Sequence, residues 1–206
     1  MRVIDRYLSS RSIIIANMKG LIVALTGGSG VIYGVRLIES LQSLNLETHL
    51  VISEWGEKTI KIETDLDVTY LKNLASHYYD NTNMAAPISS GSFKTRGMVI
   101  IPCSMKTLAS IANGFDDNLI SRAASVCIKE NRKLVIVPRE TPLSKIHLQN
   151  MVKLSELGVT ILPAMPGFYY HPITIDDLLN HIVGKVLDQF DIDNNMFKRW
   201  GSKNTK

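Results

Sequence analysis

The chain has 206 residues, 45% of them apolar, with 23 basic and 19 acidic residues and a formal net charge of +4. That length suits one compact domain with a real core and leaves a second domain unexpected. Cys103 and Cys127 are too few for a disulfide framework, no apolar run reaches the roughly 18 residues that span a bilayer, and the interleaved charges form no nucleic-acid-binding stripe.

The composition therefore reads as a soluble intracellular protein. Its small positive excess suits a pocket for phosphorylated small molecules. The first 17 residues, MRVIDRYLSSRSIIIAN, carry three Arg, three Ser and one Asp, and the apolar stretch from Ile13 to Ala16 is too short for a secretory core. They are expected to lie outside the fold, either because Met18 is an alternative start or because they form a weak organellar presequence.

From Lys19 the chain alternates. LIVAL (21 to 25) reads as a buried strand, and Val31, Val35, Ile38 and Leu41 mark one face of a helix over 31 to 44. THLVIS is a second strand, followed by mixed helix from Glu54 to Tyr70 and beyond. Asn81 to Gly97 is a loop rich in Ser, Gly and Ala, long enough to suggest a lid or binding role. GMVIIP is the third strand, and helices are expected over Lys106 to Ala112 and Asn118 to Glu130. KLVIVP, a helix from Pro142 to Leu157 stopped by Gly158, VTILP, and a helix from Ile175 to Phe190 complete the pattern. Such alternation means a doubly wound parallel sheet, three layers in α/β/α order.

In a parallel sheet the carboxyl ends share one edge, so four loops, after VAL, VIIP, VIVP and ILP, are expected to meet in one crevice. Thr26-Gly27-Gly28-Ser29-Gly30 leaves a strand and opens a helix, which fits either an anion site or a tight turn that needs glycine. It matches neither the dinucleotide G-x-G-x-x-G nor a P-loop. Ser104 and Thr107 have N-cap spacing, so their hydroxyls serve a helix, a phosphate or both. Cys103 reads as a small buried residue rather than a nucleophile. Arg122 and Lys129 share a helix face that suits an anion or simply solvent. Arg139-Glu140 sets opposite charges where a strand leaves the core, as a structural ion pair or as a cation beside a residue placed to give or take a proton.

Together, TGGSGVIYGVRL, PCSMKTL, LISRAASVCIKE, VPRETP, PGFYYHP and RWG resemble the UbiX-like flavin prenyltransferases over essentially all of Lys19 to Gly201. The resemblance implies a flavodoxin-like fold and transfer of the dimethylallyl group of dimethylallyl monophosphate to N5 and C6 of reduced FMN. The product, prenylated FMN, serves UbiD-type decarboxylases in ubiquinone biosynthesis or aromatic acid decarboxylation. It also implies a cytoplasmic homododecamer built from trimers, with active sites at subunit contacts. By position, Gly27, Gly28, Ser29, Ser53, Ser104, Met105, Lys106, Thr107 and Arg139 match flavin-binding residues. Tyr169 and Lys185 match residues that hold the prenyl phosphate, with Lys129 and Glu140 beside the leaving group. Glu63, Arg122, Ser90, Gly91, Ser92 and Trp200 fall on other active-site positions. Gly28 stands where many members have Ala, Met84 where some have Trp, and Lys185 where others have Arg.

Cleaving an allylic C–O bond develops a carbocation and a phosphate, so cations and π faces are what such a site needs. Neither Asp116-Asp117 nor Asp176-Asp177 extends to an Asp-x-x-Asp magnesium cradle, and no His/Cys cluster has ligand spacing, so no metal is expected. His147 and His181 read as helix residues, Trp200 alternatively as an anchor for the tail. A flavin-dependent cysteine decarboxylase and a non-catalytic FMN carrier remain the alternatives. CSMKTLASIANG lacks the Asn-Met-Asn type loop of the first, and a carrier has no need of Glu140 or the phosphate cations.

Overall fold

The computed structural model describes residues 20–201, so the expectations for residues 1–17 and for Met18 lie outside the described residues. Six strands form one parallel sheet: β1 (Leu21–Leu25), β2 (Thr48–Ile52), β3 (His77–Asp80), β4 (Gly97–Cys103), β5 (Lys133–Pro138) and β6 (Thr160–Ile161), ordered β3-β2-β1-β4-β5-β6. Helices α1 (Val31–Ser43), α2 (Glu54–Glu63), α3 (Val68–Leu74) and α7 (Ile175–Gln189) cover one face, and α4 (Met105–Ala112), α5 (Leu119–Lys129) and α6 (Lys145–Glu156) cover the other. The two coverings explain why β1 and β4 are apolar without alternation. Leu21, Val23 and Leu25 enter one core while Ile22 and Ala24 enter the other. Val31, Val35, Ile38 and Leu41 of α1 are all buried, as their spacing predicts.

The strand order places the reversal of winding between β1 and β4, where ligands of open α/β sheets bind. The sheet departs from the sequence reading at its edges. The segment read as helix beyond Tyr70 ends at Leu74, and His77–Asp80 forms the edge strand β3. Without β3 the order is 2-1-3-4-5 after renumbering, the flavodoxin-like arrangement, and β3 extends that sheet by one strand. At the other edge only Thr160–Ile161 is regular strand, although Leu162 N–H still donates to Ile136 O at 2.8 Å. The helix expected from Pro142 starts at Lys145, because Ser144 and His147 close a capping box there. The loop from 81 to 97 carries a short 3-10 turn, Pro87–Ser89.

Candidate active site

The switch point is built by one threonine. Thr26 donates from its N–H and its hydroxyl to Pro102 O, at 3.2 and 2.9 Å, and its hydroxyl oxygen accepts from Ser104 N–H at 2.8 Å. These bonds fasten the β1–α1 loop to the end of β4. Beside them opens a cleft of about 390 Å³, lined by Gly27, Ser53, Trp55, Ser104, Lys106, Thr107, Asn118 and Ser121 among others, within the usual size of a small-ligand site. Three helices begin at this cleft. Ser53 caps α2 by accepting from Gly56 N–H at 3.0 Å, Ser104 caps α4 by accepting from Thr107 N–H at 3.3 Å, and Asn118 caps α5. Of the two hydroxyls that sequence left between capping and phosphate binding, Ser104 thus caps and Thr107 pairs with it at 3.1 Å, while both residues line a cleft at converging positive helix ends.

Gly27 faces Trp55 so closely that a Cβ there would lie 2.6 Å from the Trp55 Cβ. A side chain at position 27 would push α2 outward, whereas a Cβ on Gly28 would make ordinary contact with Pro102 at 3.4 Å. Sequence reasoning missed Trp55, which is 63% exposed at the cleft, and Asn81, whose backbone and side-chain oxygens accept from Leu119 and Ile120 N–H at 2.8 and 3.1 Å. Trp55 stands two residues after the strand-end Ser53 and carried a readable signal. Asn81 did not, because it follows the unrecognised β3.

The far side of the glycine loop has a different occupant. Gly30 adopts φ +93° at the start of α1, and Glu63 Oε2 accepts from Gly30 and Val31 N–H at 2.8 and 3.1 Å. The anion foreseen at this helix end is therefore the protein's own carboxylate. Arg139 reaches across from β5 to donate to Ser29 O at 3.1 Å, and Glu140 accepts from Thr141 N–H at 3.2 Å. Arg139 and Glu140 turn to different partners, so the structural ion-pair reading of these two residues is set aside.

The four strand-end loops do adjoin along one edge, with Arg139 on Ser29 O and Ala164 N–H donating to Pro138 O at 3.4 Å, but the remaining sequence-selected residues fall into two further groups. On the outer face of α5, Arg122 donates to Ser89 O at 3.2 Å and lies 3.5 Å from the Asp116 carboxylate, while Lys129 pairs with Glu130 at 2.9 Å. The loop with Ser90, Gly91 and Ser92 covers that face, so Arg122 and Lys129 do share one strip. Beside α7, Tyr169 makes edge contacts with Tyr170, His181 and Trp200 at ring separations of 5.4, 5.9 and 5.5 Å, and Lys185 lies 3.9 Å from Asp188. His181 stacks on Tyr170 at 5.2 Å and meets Phe197 edge-on, a supporting place that its reading as a plain helix residue understated. His171 closes the turn after Tyr169 with φ 54°. Burial raises both cysteine thiols, Cys127 to about 12, which leaves neither as a nucleophile.

The profile of the Flavoprotein family matches residues 12–188. Flavin prenyltransferase LpdB of Lactiplantibacillus plantarum is 55% identical over 184 residues, covering 89% of this chain and 98% of that protein. The crystal structure of AnUbiX (PadA1) in complex with FMN and dimethylallyl pyrophosphate superposes with a TM-score of 0.88 at 48% identity, covering 90% of this chain and 99% of that one. The dodecameric FMN-dependent UbiX-like decarboxylase of Escherichia coli O157:H7 gives 0.86 at 51% identity, covering 88% and 99%.

Proposed function

The chain belongs to the Flavoprotein family, among its UbiX-like flavin prenyltransferases, and from that membership we propose that it joins the dimethylallyl group of a dimethylallyl phosphate to reduced FMN. The observation that carries the reading is the cleft at the β1/β4 switch point, where three capped helix starts, Ser and Thr hydroxyls and Lys106 surround a space fit for a flavin nucleotide. The close approach of Gly27 to Trp55 leaves no room for a side chain at position 27 on that wall. Reduced FMN would supply two nucleophilic ring atoms, N5 and C6, each bonding to a different carbon of the five-carbon group.

The chain's own residues handle the donor. Lys129, Arg139, Lys185 and the Tyr169 hydroxyl hold the phosphate and offset the charge it gains as the C–O bond breaks. Glu140 gives that phosphate its proton or assists proton loss from the ring that is alkylated. Tyr169 and Trp200 present π faces to the allyl cation. Glu63, fixed on the start of α1, positions the glycine loop. Because these residues occupy three separate patches of one chain, we infer that the complete site forms between subunits, in an assembly like the dodecamer of the Escherichia coli relative.

The same reading assigns the product to a UbiD-type decarboxylase and the reaction to the cytoplasm, where both buried cysteines remain thiols. Residues 18–206 make one flavoprotein domain in this proposal, of which 20–201 are described, with residues 1–17 as an extension. Among the described residues no helix is long and apolar enough to cross a membrane.

The test is anaerobic incubation of the protein with reduced FMN and either dimethylallyl monophosphate or diphosphate, followed by mass spectrometry of the released flavin. A flavin heavier by one five-carbon prenyl unit is the expected outcome. Unchanged flavin with both donors, in protein that binds FMN, would sink the proposal.

A further inference from the structure

At the amino edge of the sheet, remote from the flavin cleft, three potential ligands meet that no spacing in the sequence brings together. His49 and His77 are register partners on β2 and β3, and Glu47 immediately precedes β2. Their ligand atoms all lie within 4.8 Å of one another. Glu47 Oε1 is 3.2 Å from His77 Nε2 and 3.6 Å from His49 Nε2. Metal bonds of about 2.0–2.1 Å in tetrahedral array put neighbouring ligand atoms about 3.3 Å apart, so the two carboxylate-to-imidazole separations already suit a shared ion. The rings are stacked at 4.9 Å and 11°, and a turn of the half-exposed His77 would bring its nitrogen into line.

Two of these side chains are held from behind. His49 Nδ1 lies 3.1 Å from the Tyr79 hydroxyl, which fixes the ring with Nε2 toward Glu47, and Phe93 packs edge-on against it at 5.3 Å. Glu47 Oε2 accepts from Gly20 N–H at 3.1 Å, leaving Oε1 for the imidazoles. Such outer partners set the tautomer and orientation of metal ligands. His49 is buried while Glu47 and His77 are partly exposed, so the site is open to solvent on one side.

We propose that Glu47, His49 and His77 form a binding site for a borderline divalent transition metal, Zn(II) in the first instance, with at least one position left to water. Two imidazoles and one carboxylate are the donor set such ions accept, and Mg(II) prefers all-oxygen sites. The ion would pin the edge strand β3 to β2. From Ser53, which lines the cleft, His49 is four residues back along β2, about 13 Å at 3.3 Å per residue, so the role is separate from prenyl transfer.

The test uses untagged full-length protein stripped with a chelator, then titrated with Zn(II) against a chromophoric competitor, with thermal unfolding followed in parallel. The expected result is one saturable Zn(II) per subunit and a Zn(II)-dependent rise in Tm. Both should weaken about tenfold or more in His77→Gln and in Glu47→Gln, with FMN binding retained as the control for folding. These two positions are exposed enough to be replaced without opening the core, unlike His49. Absence of saturable binding in the wild type, or binding that both variants leave within about threefold, would overturn the proposal.

Discussion

Individual side chains carry two consequences that differ in kind. Glu140 accepts from Thr141 N–H and sits where β5 leaves the core, so its replacement should change proton transfer without changing the cleft. Glu140→Gln is expected to keep FMN affinity while prenylation falls by about a hundredfold or more, the range that a positioned acid–base group contributes. Single-turnover rates measured beside flavin binding would check this, and near-wild-type rates would remove Glu140 from the mechanism. His181 acts through packing. Burial, reinforced by the Lys185 ammonium, lowers its pKa below 6.5, so the folded state favours the neutral ring more than the unfolded chain does. The stability this gives is present above the unfolded pKa and is lost as pH falls through the folded one. His181→Phe keeps an aromatic ring against Tyr170 and Phe197 but cannot be protonated. Its Tm should therefore decline less than that of the wild type between about pH 7 and about pH 5, as read by thermal melts across that window.

Among the elements, the junction of α5 and β5 is tied to the serine loop by Arg132. This residue follows α5 and donates to Phe93 O at 2.7 Å and to Gly91 O, tying the serine loop down over Lys129. Lysine keeps the charge but cannot reach both carbonyls with a rigid fork. Arg132→Lys should raise KM for the prenyl phosphate about threefold or more while FMN affinity stays unchanged, a split that a general loss of stability would not produce. Most elements were legible because their causes are local: β1 and β4 are apolar runs, β2 and β5 carry apolar runs from Leu50 and Leu134, and α1 and α5 have clear helical faces. β3 was not, since His-Tyr-Tyr-Asp is short, partly exposed and lacks an apolar run, and only pairing with β2 makes it a strand. For the same reason the Glu47, His49 and His77 cluster was invisible. Position in the family pattern picked out Lys129, Tyr169 and Lys185, but nothing in the sequence places Lys129 apart from the other two.

For the whole molecule, the three patches make a sharp statement about assembly. If Lys129 and Arg139 serve one site from different subunits, Lys129→Ala and Arg139→Ala are each inactive, yet random mixed oligomers contain sites with both residues intact. About a quarter of wild-type activity should return on co-assembly, since each of the two contributing chains is the right one half the time. No recovery would place both residues in one chain. The bonds converging on Thr26 reach further than their number suggests. With the glycine loop already moored to β4, the loop's conformational entropy is lost when the chain folds and not when flavin arrives. Binding then resembles seating a key in a finished lock, and most of the free energy released by flavin contacts remains as affinity.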